Sequence, residues 1–270
     1  MGRLHLIEIE DQRWFPSFLR DHVTDGLQFI FDLVNLYRPI AGRLRDALDQ
    51  AGTHHVVDLC SGAGGPWPRL CLIFEQERVA VDVSLTDKHP NARAAKQTRY
   101  SGGCSIRFRA EPVDAMHIPA SLAGFRTMFT SFHHFRPPEA RAILQDAVEK
   151  SQGIGIFEVP KRSAKTILLV FLVPIGYLLS APFMRPLRWS RLLFTYLIPV
   201  VPVVLWFDGI VSCLRAYSPR ELLELTHGLS ANGYHWQSGE QRGEGAIPAT
   251  VTYLIGCPTA KAHSNPAISQ

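Results

Sequence analysis

Apolar residues recur along this chain in two different rhythms. Up to about Gln50 the spacing is helical. Trp14, Phe15, Phe18 and Leu19 make one cluster, and Leu27, Ile30, Phe31, Val34 and Leu36 make another. A helix after Pro39 carries Leu44 and Leu48 until Gly52 stops it. Such helices either pack on a sheet or form a lid, with Trp14 and Tyr37 placed to touch what lies beneath. Short β-branched or alternating runs then take over, at Val56 and Val57 and at residues 78–87, 104–110, 125–135, where the strand runs into a loop, and 153–159. Helical stretches separate them, one at residues 68–74 with Pro68 in its first turn, another opened by Pro137, Pro138 and Glu139. Strands alternating with helices predict a parallel sheet covered on both faces. Near the end, Ser218 and Pro219 start a helix, and residues 233–237 and 250–256 read as paired strands.

One stretch breaks this rhythm. Residues 166–183 and 192–207 hold no charge, and Arg185, Arg188 and Arg191 stand between them. A membrane-spanning helix needs about 20 apolar residues, so the first run is marginal and the second short. Pro174, Pro182, Pro199 and Pro202 interrupt both. Two full spans from a cytoplasmic domain would also put the three arginines outside, against the positive-inside tendency. Two readings remain. The insert lies on or dips into a membrane with arginines at the headgroups and Trp189 at the interface, or it folds over a crevice as an apolar wall or a dimer surface.

Composition narrows the class. With 46% hydrophobic and 19% charged residues the chain is globular. A net charge of +4, spread along the sequence, gives no basic stripe, so no nucleic-acid partner is expected. Five cysteines without a C-x-x-C pair read as reduced thiols rather than a disulfide framework. The first ten residues carry acids where a signal peptide needs an apolar core. The expected location is the cytoplasm, peripheral on the inner face of a membrane if the insert meets one.

The chemistry centres on residues 55–66. Val56, Val57 and Asp58 lead into Cys60, Ser61, Gly62, Ala63, Gly64 and Gly65, a strand breaking into a turn whose glycines let a ligand approach the backbone. A dinucleotide fingerprint needs a glycine where Trp67 stands, which disfavours an NAD-dependent oxidoreductase. Asp87, 25 positions after Gly62, ends the second strand, where a carboxylate suits ribose hydroxyls; a helix cap before Pro90 is its alternative role. His133 and His134 follow the fourth strand, and Glu158 ends the fifth. By the carboxyl-end rule all three face the crevice. Either histidine suits a general base, with Glu158 as the fallback; both also suit shaping the pocket. No H-x-x-x-H or cysteine pair accompanies them, so no metal is expected.

The run Asp58-Leu59-Cys60-Ser61-Gly62-Ala63-Gly64 resembles motif I of the class I S-adenosylmethionine-dependent methyltransferases. Cys60 stands where that family has its first glycine, a departure that calls for a less strained turn there. The resemblance covers residues 52–160 and 213–258. It implies a doubly wound, mostly parallel seven-stranded Rossmann-like sheet whose last strand is antiparallel. The N-terminal helices and the apolar helical insert after the fifth strand are additions. The implied division is a helical cap over 1–51, the S-adenosylmethionine-binding core over 52–160, the insert over 161–212, the closing helix and strands over 213–262, and a polar tail over 263–270. In the cofactor site the resemblance places Asp58, Cys60, Ser61, Gly62, Gly64, Asp87 and Ser131, and it assigns Asp114 and Ala115 to the adenine. The implied reaction is methyl transfer from S-adenosylmethionine to a hydrophobic small-molecule or lipid-like acceptor, its receiving atom left open. A catalytically idle S-adenosylmethionine-binding sensor or assembly protein at a membrane is the non-enzymatic alternative.

Overall fold

The computed structural model describes residues 2–90, 98–101, 103–229, 233–243 and 250–259; the tail expected over 263–270 lies outside them. Helix α1 (Ser17–Leu33) and α2 (Ala41–Ala51) precede β1 (His55–Leu59), α3 (Trp67–Gln76), β2 (Val81–Leu85), β3 (Thr98–Ser101) and β4 (Cys104–Phe108). There follow β5 (Phe125–Phe129), α4 (Pro137–Glu149) and β6 (Ile154–Glu158). The insert then forms α5 (Ala164–Val170), α6 (Val173–Ser180), α7 (Trp189–Leu192) and α8 (Val200–Arg215), and α9 (Pro219–Thr226), β7 (Tyr234–Arg242) and β8 (Thr250–Pro258) close the chain.

The strands form one sheet in the order β3-β4-β2-β1-β5-β6-β8-β7. From β4 through β6 the neighbours are parallel, and β8 joins β6 antiparallel, Glu158 opposite Thr252. These are the seven expected strands; the short β3 adds an eighth, antiparallel at the β4 edge. Alternation in β1 explains the double winding, because successive side chains leave a strand on opposite faces. Val56 joins a core with Leu44, Leu48, Trp67 and Phe74, so α2 and α3 cover that face. Val57 and Leu59 join Ile143, Leu144 and Leu222, so α4 and α9 cover the other. The expected stops and starts are in place. Gly52 closes α2 at φ 64°, and Ser218 opens α9 in a reciprocal cap with Glu221.

The insert departs from its expected role in one respect. Helices α6 and α8 pack with α1 around Phe15, Leu19, Val23, Tyr177 and Leu205, and α8 runs through the expected boundary at 212 to Arg215. Arg191 is buried, and it and Arg188 each reach Asp25 of α1 at 3.1 Å. Two of the three arginines expected at lipid headgroups therefore bind the insert to α1. A carboxylate within the protein satisfies them more fully than a mobile headgroup would. Among the described residues no single helix is long and apolar enough to cross a membrane. The stretch 189–197 and α8 together reach that length but bend by 73° at their break.

The thiols also differ from expectation. Cys71 of α3 and Cys104 of β4 form a disulfide, because α3 lies over the sheet edge and brings their Cα atoms to 5.6 Å. Cys60, Cys213 and Cys257 are unbridged.

Candidate active site

The turn after β1 is held from below and from the side. Asp58 is buried and accepts a 2.6 Å hydrogen bond from Thr127 Oγ1. Burial pushes its carboxyl up to about 7, against the opposing hydrogen bonds of Ser61 and Thr127. Its carbonyl accepts from the hydroxyls of Ser61 and Thr86. Asp58 is thus fixed beneath the turn rather than displayed on it. Cys60 sits at φ 56°, so the turn keeps the left-handed geometry of the missing glycine instead of relaxing. Its supports make up for the strain a side chain brings there.

Asp87 is latched to this turn. Gly62 N–H donates to one carboxylate oxygen at 2.9 Å and His89 N–H to the other at 2.8 Å. Asp114 lies one strand further on, taking Met116 N–H at 3.0 Å and Lys88 Nζ at 2.8 Å. Partial burial alone would raise its carboxyl, but Lys88 and Met116 hold it below the usual range. Ala115 is buried beside it, and Ser131 is buried at the end of β5.

Helix α1 covers the turn. Gln28 Nε2 donates to Gly65 O at 2.5 Å, and a Cβ built on Gly62 would meet the Thr24 methyl at 2.9 Å. Helix α2 packs on the sheet, and α1 lies against the glycine turn. Trp14 is exposed and takes no part in the lid. Tyr37 is a buried wall, its hydroxyl bonded to Thr130 and its ring edge-on to Phe129 at 5.1 Å.

At the carboxyl ends of β5 and β6 a polar cluster forms. Glu158 is fully buried; one oxygen accepts Ser131 N–H at 2.9 Å and Phe132 N–H at 2.7 Å, the other His133 Nδ1 at 2.6 Å. A carboxylate only accepts, so Nδ1 carries the proton. Nε2 of His133 is buried, has no hydrogen-bond partner among the described residues, and lies 3.7 Å from Glu8. His134 sits between Glu8 at 3.1 Å and Asp11 at 3.0 Å. Burial alone would lower its pKa, yet these two acids push it up to about 10. The two histidines, equivalent in the sequence, therefore have different surroundings.

The chain's first segment completes the cluster. Arg215 Nη1 pairs with Glu8 at 3.1 Å and Asp11 at 2.9 Å, while Asp208 accepts the N–H groups of Ile9 and Glu10. Arg3 reaches the carbonyls of His133 and Phe135 and lies over the Tyr217 ring at 4.0 Å. Glu8, Asp11, Asp208 and Arg215 were not among the expected site residues. The signal for the last two was present: Asp208, Ser212 and Arg215, at i, i+4 and i+7, put one polar stripe on an apolar helix. Ligand atoms of Glu8, His133 and His134 lie within 4.8 Å of one another, close enough to hold a metal ion. Arg215 already supplies positive charge at Glu8.

No family model matches the sequence, and no curated protein matches it. Solved structures do. The O-methyltransferase NcsB1 from neocarzinostatin biosynthesis, with S-adenosylmethionine and a naphthoic acid, is 18% identical over 91% of this chain and 62% of its own, with TM-score 0.45. Human N-acetylserotonin methyltransferase with S-adenosylmethionine is 14% identical over 89% of this chain and 58% of its own, with TM-score 0.44. LepI with S-adenosylmethionine is 18% identical over 78% and 46%, with TM-score 0.42. The chain thus spans roughly half to three-fifths of the length of these three structures, and it is similar to each without being identified by any.

Proposed function

We propose that the chain is a class I S-adenosylmethionine-dependent methyltransferase acting on a hydrophobic, lipid-like small molecule at a membrane surface. The observation that carries this reading is one line of groups at the carboxyl ends of adjacent parallel strands. It runs from Asp114 and Asp87 through the Cys60–Gly64 turn to Ser131 and the His133–Glu158 pair.

The residues fit the cofactor. Each Asp87 oxygen takes a single backbone N–H, leaving lone pairs for ribose hydroxyls. Gly64 sits at φ 119°, and a Cβ built there would stand 3.3 Å from the Phe108 ring, so a side chain at this position would be both strained and crowded. The Ser131 hydroxyl is buried with no partner among the described residues, ready to meet a polar group. Held by Asp87, the Cys60–Gly64 turn, Asp114 and Ser131, S-adenosylmethionine would supply an electrophilic methyl on a sulfonium sulfur.

His133 Nε2 takes the proton of an acceptor protonated at neutral pH. Glu158 fixes the tautomer that leaves Nε2 basic and stabilises the imidazolium that results. His134, already held as a cation between two carboxylates, orients the first segment rather than removing a proton. Helix α1 and residues 3–12 exclude water, and alignment in a dry site supplies much of the acceleration for a displacement of this kind.

Calorimetry with S-adenosylmethionine, S-adenosylhomocysteine and NAD tests the cofactor. Heat with the first two and none with NAD is expected, and the reverse overturns the reading. Labelled methyl from S-adenosylmethionine, incubated with cell extract and split into lipid and aqueous fractions, tests the acceptor. Label in the lipid fraction is expected; label confined to the aqueous fraction overturns the lipid-like acceptor, and none at all favours the idle sensor.

A further inference from the structure

The outer side of the insert is as apolar as the side that packs on α1. Leu179, Phe183, Trp189 and Leu197 are 71 to 79% exposed, while Tyr177, Ala181 and Val201 of the same layer are fully buried. A surface helix in water shows one apolar stripe and one polar face. Here both sides are apolar, well beyond the scattered single residues that need no explanation. The layer is continuous. Phe171 stacks edge-on to Trp206 across α5 and α8, Tyr196 hydroxyl bonds the Leu178 carbonyl, and Phe18 of α1 meets Phe194.

Charge permits a membrane partner. Between Glu158 and Asp208 there is no acidic residue, and each charged side chain is a base. Lys161, Arg162, Arg188 and Arg191 are paired to Glu240, Glu221 and Asp25 within the protein. Lys165 and Arg185 remain exposed beside the apolar side chains, on stems long enough to keep their heads at a polar boundary. Trp189, Trp206 and Tyr196 are exposed, residue types that favour the level between hydrocarbon and headgroups. The 73° bend between residues 189–197 and α8 lets this segment enter and leave from one side.

We propose that the outer side of residues 164–207 beds into one leaflet of a phospholipid bilayer, held by apolar burial, with charge in a secondary part. This deepens the membrane role proposed above and rests on it, but not on the methyl-transfer chemistry. The anchor is therefore expected to resist salt, unlike one made of bases at headgroups. At about 1 M salt the Debye length falls to about 3 Å, which removes surface attraction but not burial.

Flotation of the full chain with vesicles of phosphatidylcholine alone, and of phosphatidylcholine with phosphatidylglycerol, tests this. Binding to both, persisting at about 1 M sodium chloride, is expected, with quenching of tryptophan emission by acyl-chain bromines. Phe183→Ser, Trp189→Ser and Leu197→Ser together should lower the bound fraction roughly tenfold or more with an unchanged melting temperature; the bromine quenching of wild type decides the matter if that variant fails to fold. Failure of wild type to float overturns the proposal, as does binding only to anionic vesicles with release by salt. A dimer in sedimentation that the triple variant disperses, without flotation, assigns the surface to a second copy instead. Calorimetry with S-adenosylmethionine on the same preparation separates the two readings. Flotation without cofactor heat overturns the methyltransferase alone, and heat without flotation overturns the anchor alone.

Discussion

Glu158→Gln separates holding from chemistry at the β6 end. In the wild type both backbone donors, Ser131 and Phe132 N–H, point at one carboxylate oxygen and His133 Nδ1 at the other. Glutamine keeps a carbonyl oxygen for the two amides and must turn its NH₂ toward His133. Each amide bond loses its charge assistance, about 1 kcal/mol apiece, so the fold should lose about 2–3 kcal/mol and survive. Facing a donor, His133 Nδ1 gives up its proton, the tautomer flips, and Nε2 becomes N–H instead of a base. Methyl turnover should then fall by about 10²–10⁴, or about 2.7–5.4 kcal/mol of barrier. Affinity for S-adenosylmethionine should stay unchanged. Label transfer in extract reads the rate, and imidazole nitrogen NMR reads the tautomer. If turnover stays within about twofold while the tautomer has flipped, His133 is not the base and transfer proceeds by positioning alone. Glu158→Ala, which leaves three buried donors bare, should cost about 3–5 kcal/mol and lose the fold first.

Gly62→Val should abolish S-adenosylmethionine binding, because its φ of 52° excludes a β-branched residue and a Cβ would strike Thr24; unchanged affinity in a folded variant sinks the assignment. Asp87→Ala should weaken binding by about 1–3 kcal/mol in calorimetry and leave Gly62 N–H without its partner. Stability should fall as pH rises. His134, raised from 6.5 to about 10, contributes fully below pH 6.5 and loses that contribution by about pH 10. Asp58, raised from 3.8 to about 7, destabilises over that lower interval and adds no slope above pH 7, which leaves the alkaline window to His134. Urea midpoints should therefore decline from pH 7 to about 10, and less so in His134→Gln; an equal decline in both removes His134 from the account. Asp25→Ala should lower stability by about 2–3 kcal/mol, since it strands the buried Arg191, discounted for the partial exposure of Asp25; an unchanged denaturation midpoint would falsify the view that this pair fastens the insert.

What the sequence made legible was local. The β-branched run at Val56 and Val57, the glycine turn, and acids closing successive strands each follow from a few adjacent residues, and Asp58, Asp87 and Asp114 stand at or just past the carboxyl ends of three adjacent parallel strands. Contacts made across the fold were hidden. Nothing near Arg188 and Arg191 announces Asp25, more than 160 positions earlier, so they read as headgroup ligands. Glu8 and Asp11 have no partner near them in the sequence; α8 brings Arg215 to both. The bridge between Cys71 and Cys104 depends on how α3 lies over β4, which composition cannot state. Cys60 was misjudged from steric expectation, because the supports that hold it at positive φ come from Ser61, Thr86 and Asp87.

Helix α1 touches the glycine turn through Thr24 and Gln28 and the insert through Asp25 and through Gly26, which faces Tyr177, so little more than one of its turns serves two neighbours at once. Removing residues 161–212 is the direct way to take away the exposed apolar side. Excision would strip α1 of its backing and, with Asp208 gone, free residues 9 and 10 from their mooring. The workable route is repainting: Leu179, Phe183, Trp189 and Leu197 exchanged for polar residues, with the inward contacts left alone. The segment with the exposed apolar side is also the one that backs helix α1 where it lies against the glycine turn.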